Sequence, residues 1–316
     1  MPLGGDAPDV PGGRGTLTMA LLVMGAGWGL TQPLVKIAVS GGHGPMGLVF
    51  WQLVIGAILL TVVNSLRGLG LPFHRKALFL YTFIALLGTV IPNWASFTSA
   101  FHLPAGVMSI VISAVPMFSF PIALALKGDQ FSARRMAGLM LGLAGVALIA
   151  LPETSLPDRA MVAFLPLALL APFCYAIEGN LVARWGTGNV DPVQVLQGAS
   201  IVGAFFALPL ALGLGQFVDP RGPWGAAEYA LLASSSIHAL VYSAYVWMVG
   251  RAGAVFAAQV SYLVTGFGVV WAMLLLGERY SGYVWAALAL MAVGLTLVQP
   301  RLRSKATLIL PAKDPI

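Results

Sequence analysis

Glu178 is the residue of this sequence best placed to do chemistry. It lies well inside an apolar run, among residues 174–180, and the nearest basic residue, Arg184, is more than a helical turn away. A carboxylate at membrane depth is costly and marks a functional site by default. It can bind and release a proton, or it can meet a cationic group of a ligand. The plain alternative is a hydrogen-bonded structural acid near a helix end. Trp28, Gln32 and Lys36 recur every four residues and share a helix face. Thr31 lies beside that face, and Pro33 removes a backbone donor in the same turn. Lys36 is expected to snorkel to the membrane interface, and Gln32 to line a polar cavity.

Further polar groups recur inside apolar runs. Asn93, Trp94, Ser96, Thr98 and His102 follow Pro92, and Ser109 and Ser113 precede Pro116. In the second half, Gln197 and Ser200 share one face, His238, Tyr242 and Tyr245 another, and Gln259 and Tyr262 a third. Interior amides need partners, either another helix or a ligand. Serines also serve close helix packing, and tyrosines and tryptophans serve as interface anchors. The cavity candidates are therefore Trp28, Gln32, Asn93, Trp94, Ser113, Glu178, Gln197, Tyr242, Gln259 and Tyr262.

No catalytic residue, metal site or cofactor site is expected. There is no phosphate-binding glycine loop and no Ser/His/Asp arrangement, and the histidines are scattered at 43, 74, 102 and 238. The single cysteine, Cys174, excludes an internal disulfide and any multi-cysteine metal site. The absence of a nucleotide motif argues against primary active transport by this chain alone.

The elements that must position these residues follow from composition. Of 316 residues, 59% are hydrophobic and only 9% charged, against about 25% charged in a soluble domain. A bilayer accommodates such a chain; water does not. Breakers divide it into ten apolar spans, at approximately 16–38, 46–66, 77–100, 105–126, 136–151, 162–183, 193–214, 229–250, 253–275 and 282–299. Each approaches the roughly 20 residues a spanning helix needs. They lack the alternation of barrel strands. The fold class is an all-α integral membrane protein.

The net charge of +6 lies between the spans, so it points to orientation and not to nucleic acid. With a cytoplasmic N-terminus, thirteen Lys and Arg fall on the cytoplasmic side and three opposite. Both termini are expected in the cytoplasm. Residues 1–15, rich in Gly, Pro and Asp, read as a disordered leader, and 301–316 as a basic cytoplasmic tail.

Sliding the chain by 147 residues places Trp28 on Tyr175, Pro45 on Pro192, Gly56-Ala57 on Gly203-Ala204 and Ser96 on Ser243. A shift of two more places Gly128 on Gly277 and Gly145 on Gly294. Two units of five helices result, over 16–151 and 162–300, joined by a linker at 152–161. Five is odd, so the second unit enters the membrane from the opposite side. Such inverted repeats accompany alternating access around a central site; a scaffold duplicated without transport is the alternative.

Certain residues carry a family resemblance over about 18–300. These are Trp28-Gly29 with Lys36, Pro104-Ala105-Gly106, Ala114-Val115-Pro116 inside the fourth span, and Gly277-Glu278-Arg279 after the ninth. With them the chain resembles the drug/metabolite transporter superfamily, in its ten-helix form with two EamA-type repeats. It departs from the pattern with Gly128-Asp129 for Gly-Glu, with Gln52 where many members have arginine, and with Leu263 at the counterpart of Pro116. The resemblance implies a cavity lined by spans one to four and six to nine. The expected function is secondary transport, with export of a small metabolite such as an amino acid or an amphiphilic or aromatic compound. The expected partners are that solute, the lipid bilayer of the inner membrane and protons, and no nucleic acid. An intramembrane enzyme, a channel or a non-transporting membrane partner protein stand as alternatives. Gly277-Glu278 reads as a structural turn.

Overall fold

The computed structural model describes residues 14–127, 130–152, 154–252 and 260–298. The expected tail at 301–316, nearly all of the leader, and Gln259 lie outside the described residues. Among those described, the chain is all helix, without strands. Seven helices are long and apolar enough to cross a membrane, and Val260–Leu276 and Gly282–Leu297 are shorter apolar helices. Large apolar side chains such as Phe205 (76% exposed) and Leu274 (69%) stand on the outside of the bundle. That surface suits lipid.

The helices are α1 (Arg14–Ser40), α2 (Pro45–Leu66), α3 (Arg75–Ile84), α4 (Ile91–His102), α5 (Ala105–Ile112), α6 (Val115–Ala125), α7 (Ala133–Ala150), α8 (Leu165–Trp185), α9 (Pro192–Gly213), α10 (Ala226–Ala252), α11 (Val260–Leu276) and α12 (Gly282–Val298). A 3₁₀ turn, Arg159–Phe164, leads into α8. Their starts follow from local chemistry. Asp191 caps α9 in a capping box with Gln194, and Pro192 occupies the first turn, where its missing N–H costs nothing. His74 accepts from the Ala77 N–H and starts α3. Helix α2 begins with Gly44-Pro45 and has no capping side chain of its own. Gln216, from the loop after α9, supplies the acceptor for the Met46 N–H at 2.9 Å.

Two spans expected as plain helices are interrupted. α3 and α4 are joined by a π-helical segment, Ala85–Val90. Pro92 has no N–H to give the Gly88 carbonyl, and the widened turn absorbs the mismatch. The fourth span breaks at Ser113-Ala114 into α5 and α6, because Pro116 disallows the regular turn before it. Ala114-Val115-Pro116 therefore lies at a break and not inside a continuous helix. Its counterpart is unbroken: Leu263 stands within α11.

Helix pairing follows the repeat. α7 pairs with α12 and α2 with α9, each joining equivalent helices of the two halves. The pairs α1–α10 and α1–α11 have counterparts in α8–α4 and in α8 with α5 and α6, and α2–α10 has its counterpart in α9–α3. This is the pattern of a two-fold exchange. Glycines permit the closest contacts. A Cβ on Gly294 would lie 2.7 Å from the Gly138 carbonyl oxygen across the α7–α12 seam. One apolar core gathers Val107, Ile110, Phe120, Ile149 and Met291. Another gathers Val39, Leu48, Val49, Phe97 and Ala207.

Candidate functional site

Helix α8 carries Tyr175 and Glu178 toward the π-helical segment and α4. The Tyr175 hydroxyl donates to the Asn93 side-chain oxygen at 3.3 Å. One turn on, the Glu178 carboxylate lies against Gly88, where an added Cβ would stand 2.8 Å from Oε2. A residue with any side chain at 88 would occupy the carboxylate's place. Tyr175, Cys174 and, from α10, Tyr242 lie within electrostatic reach of Glu178. No hydrogen bond reaches its carboxylate from the described residues. Asn180, the nearest amide in sequence, donates instead to the carbonyls of Ala176 at 2.8 Å and Ser119 at 3.2 Å, which ties α8 to α6.

The opposite wall comes from α1 and α10. Trp28 packs its ring against His238 (centroids 6.1 Å apart) and Tyr245 (5.6 Å). Its indole N–H is buried without an acceptor among the described residues. Trp28 and Tyr175, which the 147-residue offset aligns, thus sit in matching pairs, Trp28 with His238 of α10 and Tyr175 with Asn93 of α4. Tyr175, Glu178 and Tyr242 are half-buried and His238 is exposed. A carboxylate with two phenols in electrostatic reach thus stands on one side, and an imidazole against the Trp28 ring on the other. The arrangement offers acceptors and donors for a polar headgroup and rings for an apolar body.

The other candidates divide. Gln32 is half-buried on the Trp28 face of α1. Trp94 is half-buried and leans on the core built around Val39, Leu48 and Phe97. Tyr262 is half-buried on α11. Ser113 is buried, and its hydroxyl donates to the Ile110 carbonyl at 2.6 Å; it serves the α5–α6 break. Gln197 is also buried. Its oxygen accepts from Asn64 at 2.7 Å and its nitrogen donates to Thr61 at 2.9 Å. Both ends of that amide are engaged by α2, so it acts as an interhelical tie. Gln259 lies outside the described residues.

Four features went unread in the sequence. Gly88 makes room for Glu178, and its signal was Pro92 four residues on. His238 joins Trp28, although only its helix face was legible. Lys36 does not merely snorkel: its ammonium donates to the carbonyls of Ala100 at 2.6 Å and of Phe101 and Leu103 at 3.1 Å each. Nor is Glu278 only a turn residue, since it accepts from the backbone N–H groups of Ala105 at 2.7 Å and Gly106 at 3.1 Å.

Comparison with known proteins agrees with this architecture. A solved crystal structure superposes with a TM-score of 0.60 at 17% identity, over 88% of this chain and 96% of that one; this likeness concerns the fold. A probable terminal-alkyne amino-acid exporter of Streptantibioticus cattleyicolor is 25% identical, covering 89% of this chain and 93% of its own. A probable amino-acid metabolite efflux pump of Escherichia coli is 26% identical, covering 88% and 92%. The profile of the EamA-like transporter family matches twice, at residues 16–151 and 163–299. With both halves of the helical bundle matched, this chain belongs to the EamA-like transporter family: it is a multi-pass membrane transporter and not an enzyme.

Proposed function

We propose that this transporter is a secondary carrier that exports a small amphiphilic or zwitterionic metabolite, such as an amino acid or an aromatic compound. Export proceeds by alternating access of two inverted five-helix repeats, 16–151 and 162–300, linked by 152–161. The observation that supports this reading is the carboxylate of Glu178, set against Gly88 and within electrostatic reach of Tyr175 and Tyr242. It can receive an ammonium group or a proton. Across the bundle the rings of Trp28, His238 and Tyr245 offer an apolar and cation-tolerant surface. The exporter and efflux-pump names of two relatives support the same class of solute.

In this reading the protein sits in the inner membrane with both termini in the cytoplasm, as the distribution of Lys and Arg favours. Protons are the coupling ion and Glu178 carries them. Counterflow tests the carrier reading. Purified protein in liposomes loaded with unlabelled amino acids should accumulate the labelled solute transiently above its external concentration. Uptake that never exceeds equilibration would indicate a channel. Uptake equal to that of empty liposomes across neutral, aromatic and cationic amino acids would remove the proposed substrate class.

A further inference from the structure

We propose that Lys36 and Glu278 form a latch on the turn between α4 and α5, and that its release opens one end of the cavity; this rests on the carrier reading above. Helix α4 ends at His102, and the last carbonyls of a helix have no partner within it. Lys36, from α1, supplies three donors to three of them: Ala100, Phe101 and Leu103. Helix α5 begins at Ala105, directly after Pro104. Its first N–H groups are unpaired in the same way, and Glu278, beyond the end of α11, accepts from Ala105 and Gly106. A cation at a helix C-terminus and an anion at a helix N-terminus both complement the helix dipole. The turn is thus gripped at both ends by charges from elsewhere in the chain.

The surroundings are shaped for this grip. Gly277 takes φ +64°, a conformation that suits glycine, and it turns the chain so that Glu278 follows. The Tyr280 hydroxyl donates to Glu278 Oε2 at 2.5 Å. Gly106 has no side chain, and a Cβ there would run into the Tyr280 phenol. The sequence motifs Pro104-Ala105-Gly106 and Gly277-Glu278 are therefore two halves of one contact.

The latch closes over the cavity. Gln32 and Trp28 lie one and two turns inward from Lys36 on its own helix face. α1 and α11 pack together, and α5 packs on both. For the α4–α5 hairpin to swing away, five hydrogen bonds to two charges must break together. The freed charges are not left alone, because Glu278 already lies within electrostatic reach of Lys36. Hairpin-bound and mutually paired arrangements give the two discrete states that a gate needs. The 147-residue offset places Ala183 where a second Lys36 would stand.

The test is side-specific labelling. In a Cys174→Ala background, Pro220→Cys, in the exposed loop at this end, reports which compartment the end faces, and so whether cells or inverted vesicles are used. Gln32→Cys then reports access to the cavity from that side through its rate of reaction with an impermeant maleimide. The rate should be slow in the parent and rise about tenfold in Glu278→Gln and in Lys36→Met, a common size of coupling between two states. The double variant should rise no further than the faster single one. Unchanged rates in both folded variants would overturn the latch, as would fast labelling in the parent. If Glu278→Gln does not fold, Tyr280→Phe, which removes one hydrogen bond, should raise the rate by a smaller factor; no rise would count against the latch. Wild-type counterflow is measured separately. Failed counterflow with accelerated labelling would leave the gate and remove the carrier, and the reverse result would do the opposite.

Discussion

The α2–α9 seam and the α4–α5 turn, at opposite ends of the bundle, are held by different chemistry. At the end that carries the N-terminus of α1, α2 meets α9 through side chains that pair with side chains. Arg67 donates both arms to Asp191, at 2.9 and 2.8 Å. A turn inward, Gln197 joins Asn64 and Thr61. These bonds join equivalent helices of the two repeats, and each partner is specific. At the other end, Lys36 and Glu278 hold backbone carbonyls and N–H groups of a helix turn. A seam of matched side chains has one good arrangement. Charges resting on helix ends can leave for another partner of opposite sign. The contrast separates a fixed scaffold from a releasable gate.

Variants of the fixed end should lower stability without opening the cavity. Gln197→Leu leaves the Asn64 amide and the Thr61 hydroxyl without their buried partner, at a cost of about 2–3 kcal/mol. The apparent melting temperature in detergent should fall, while the labelling rate of the Gln32→Cys reporter should not change. Faster labelling would mean that this seam gates as well. Gly294→Ala forces a methyl toward the Gly138 carbonyl across the α7–α12 seam, and such overpacking costs about 1–2 kcal/mol. Normal stability in that variant would show that the seam yields more readily than its geometry suggests.

Asp191→Asn should have the smallest effect. The pair with Arg67 is partly exposed, and such pairs contribute little. Asparagine still caps a helix, so about 1 kcal/mol or less is expected. Hydrogen bonds from Arg67, and after them the Val193 N–H, hold the Asp191 carboxyl below its usual range. Its stabilisation is therefore fully present above the unfolded value near 4 and is lost as pH falls through the lower folded value. The melting temperature of Asp191→Asn should approach that of the parent in acid. A difference that stays constant below about pH 4 would assign the effect to something other than this carboxylate.

The same contrast explains what the sequence made legible. The spans and the repeat were readable because apolar length and a constant offset are properties of the chain itself. Glu178 stands out in the sequence as an acid in an apolar run, which marks a candidate without fixing its role. Gln197 was not, since the choice between cavity and tie depends on Asn64 and Thr61, more than 130 positions away. The break before Pro116 and the π-helical segment before Pro92 escaped because a proline in an apolar run marks a disturbance without saying which one. Lys36 and Glu278 looked like interface residues because their partners are backbone groups, which leave no trace in residue types.

The most direct test of the account is Glu178→Gln in liposomes, with substrate exchange and pH-gradient-driven uptake measured on the same preparation. Glutamine keeps the shape in the space beside Gly88 and cannot release a proton. Exchange should stay within about threefold of wild type and gradient-driven uptake should fall at least about tenfold, the loss expected when one coupling site is removed. Wild-type gradient-driven uptake in Glu178→Gln would contradict the proton-carrying role at the centre of this account.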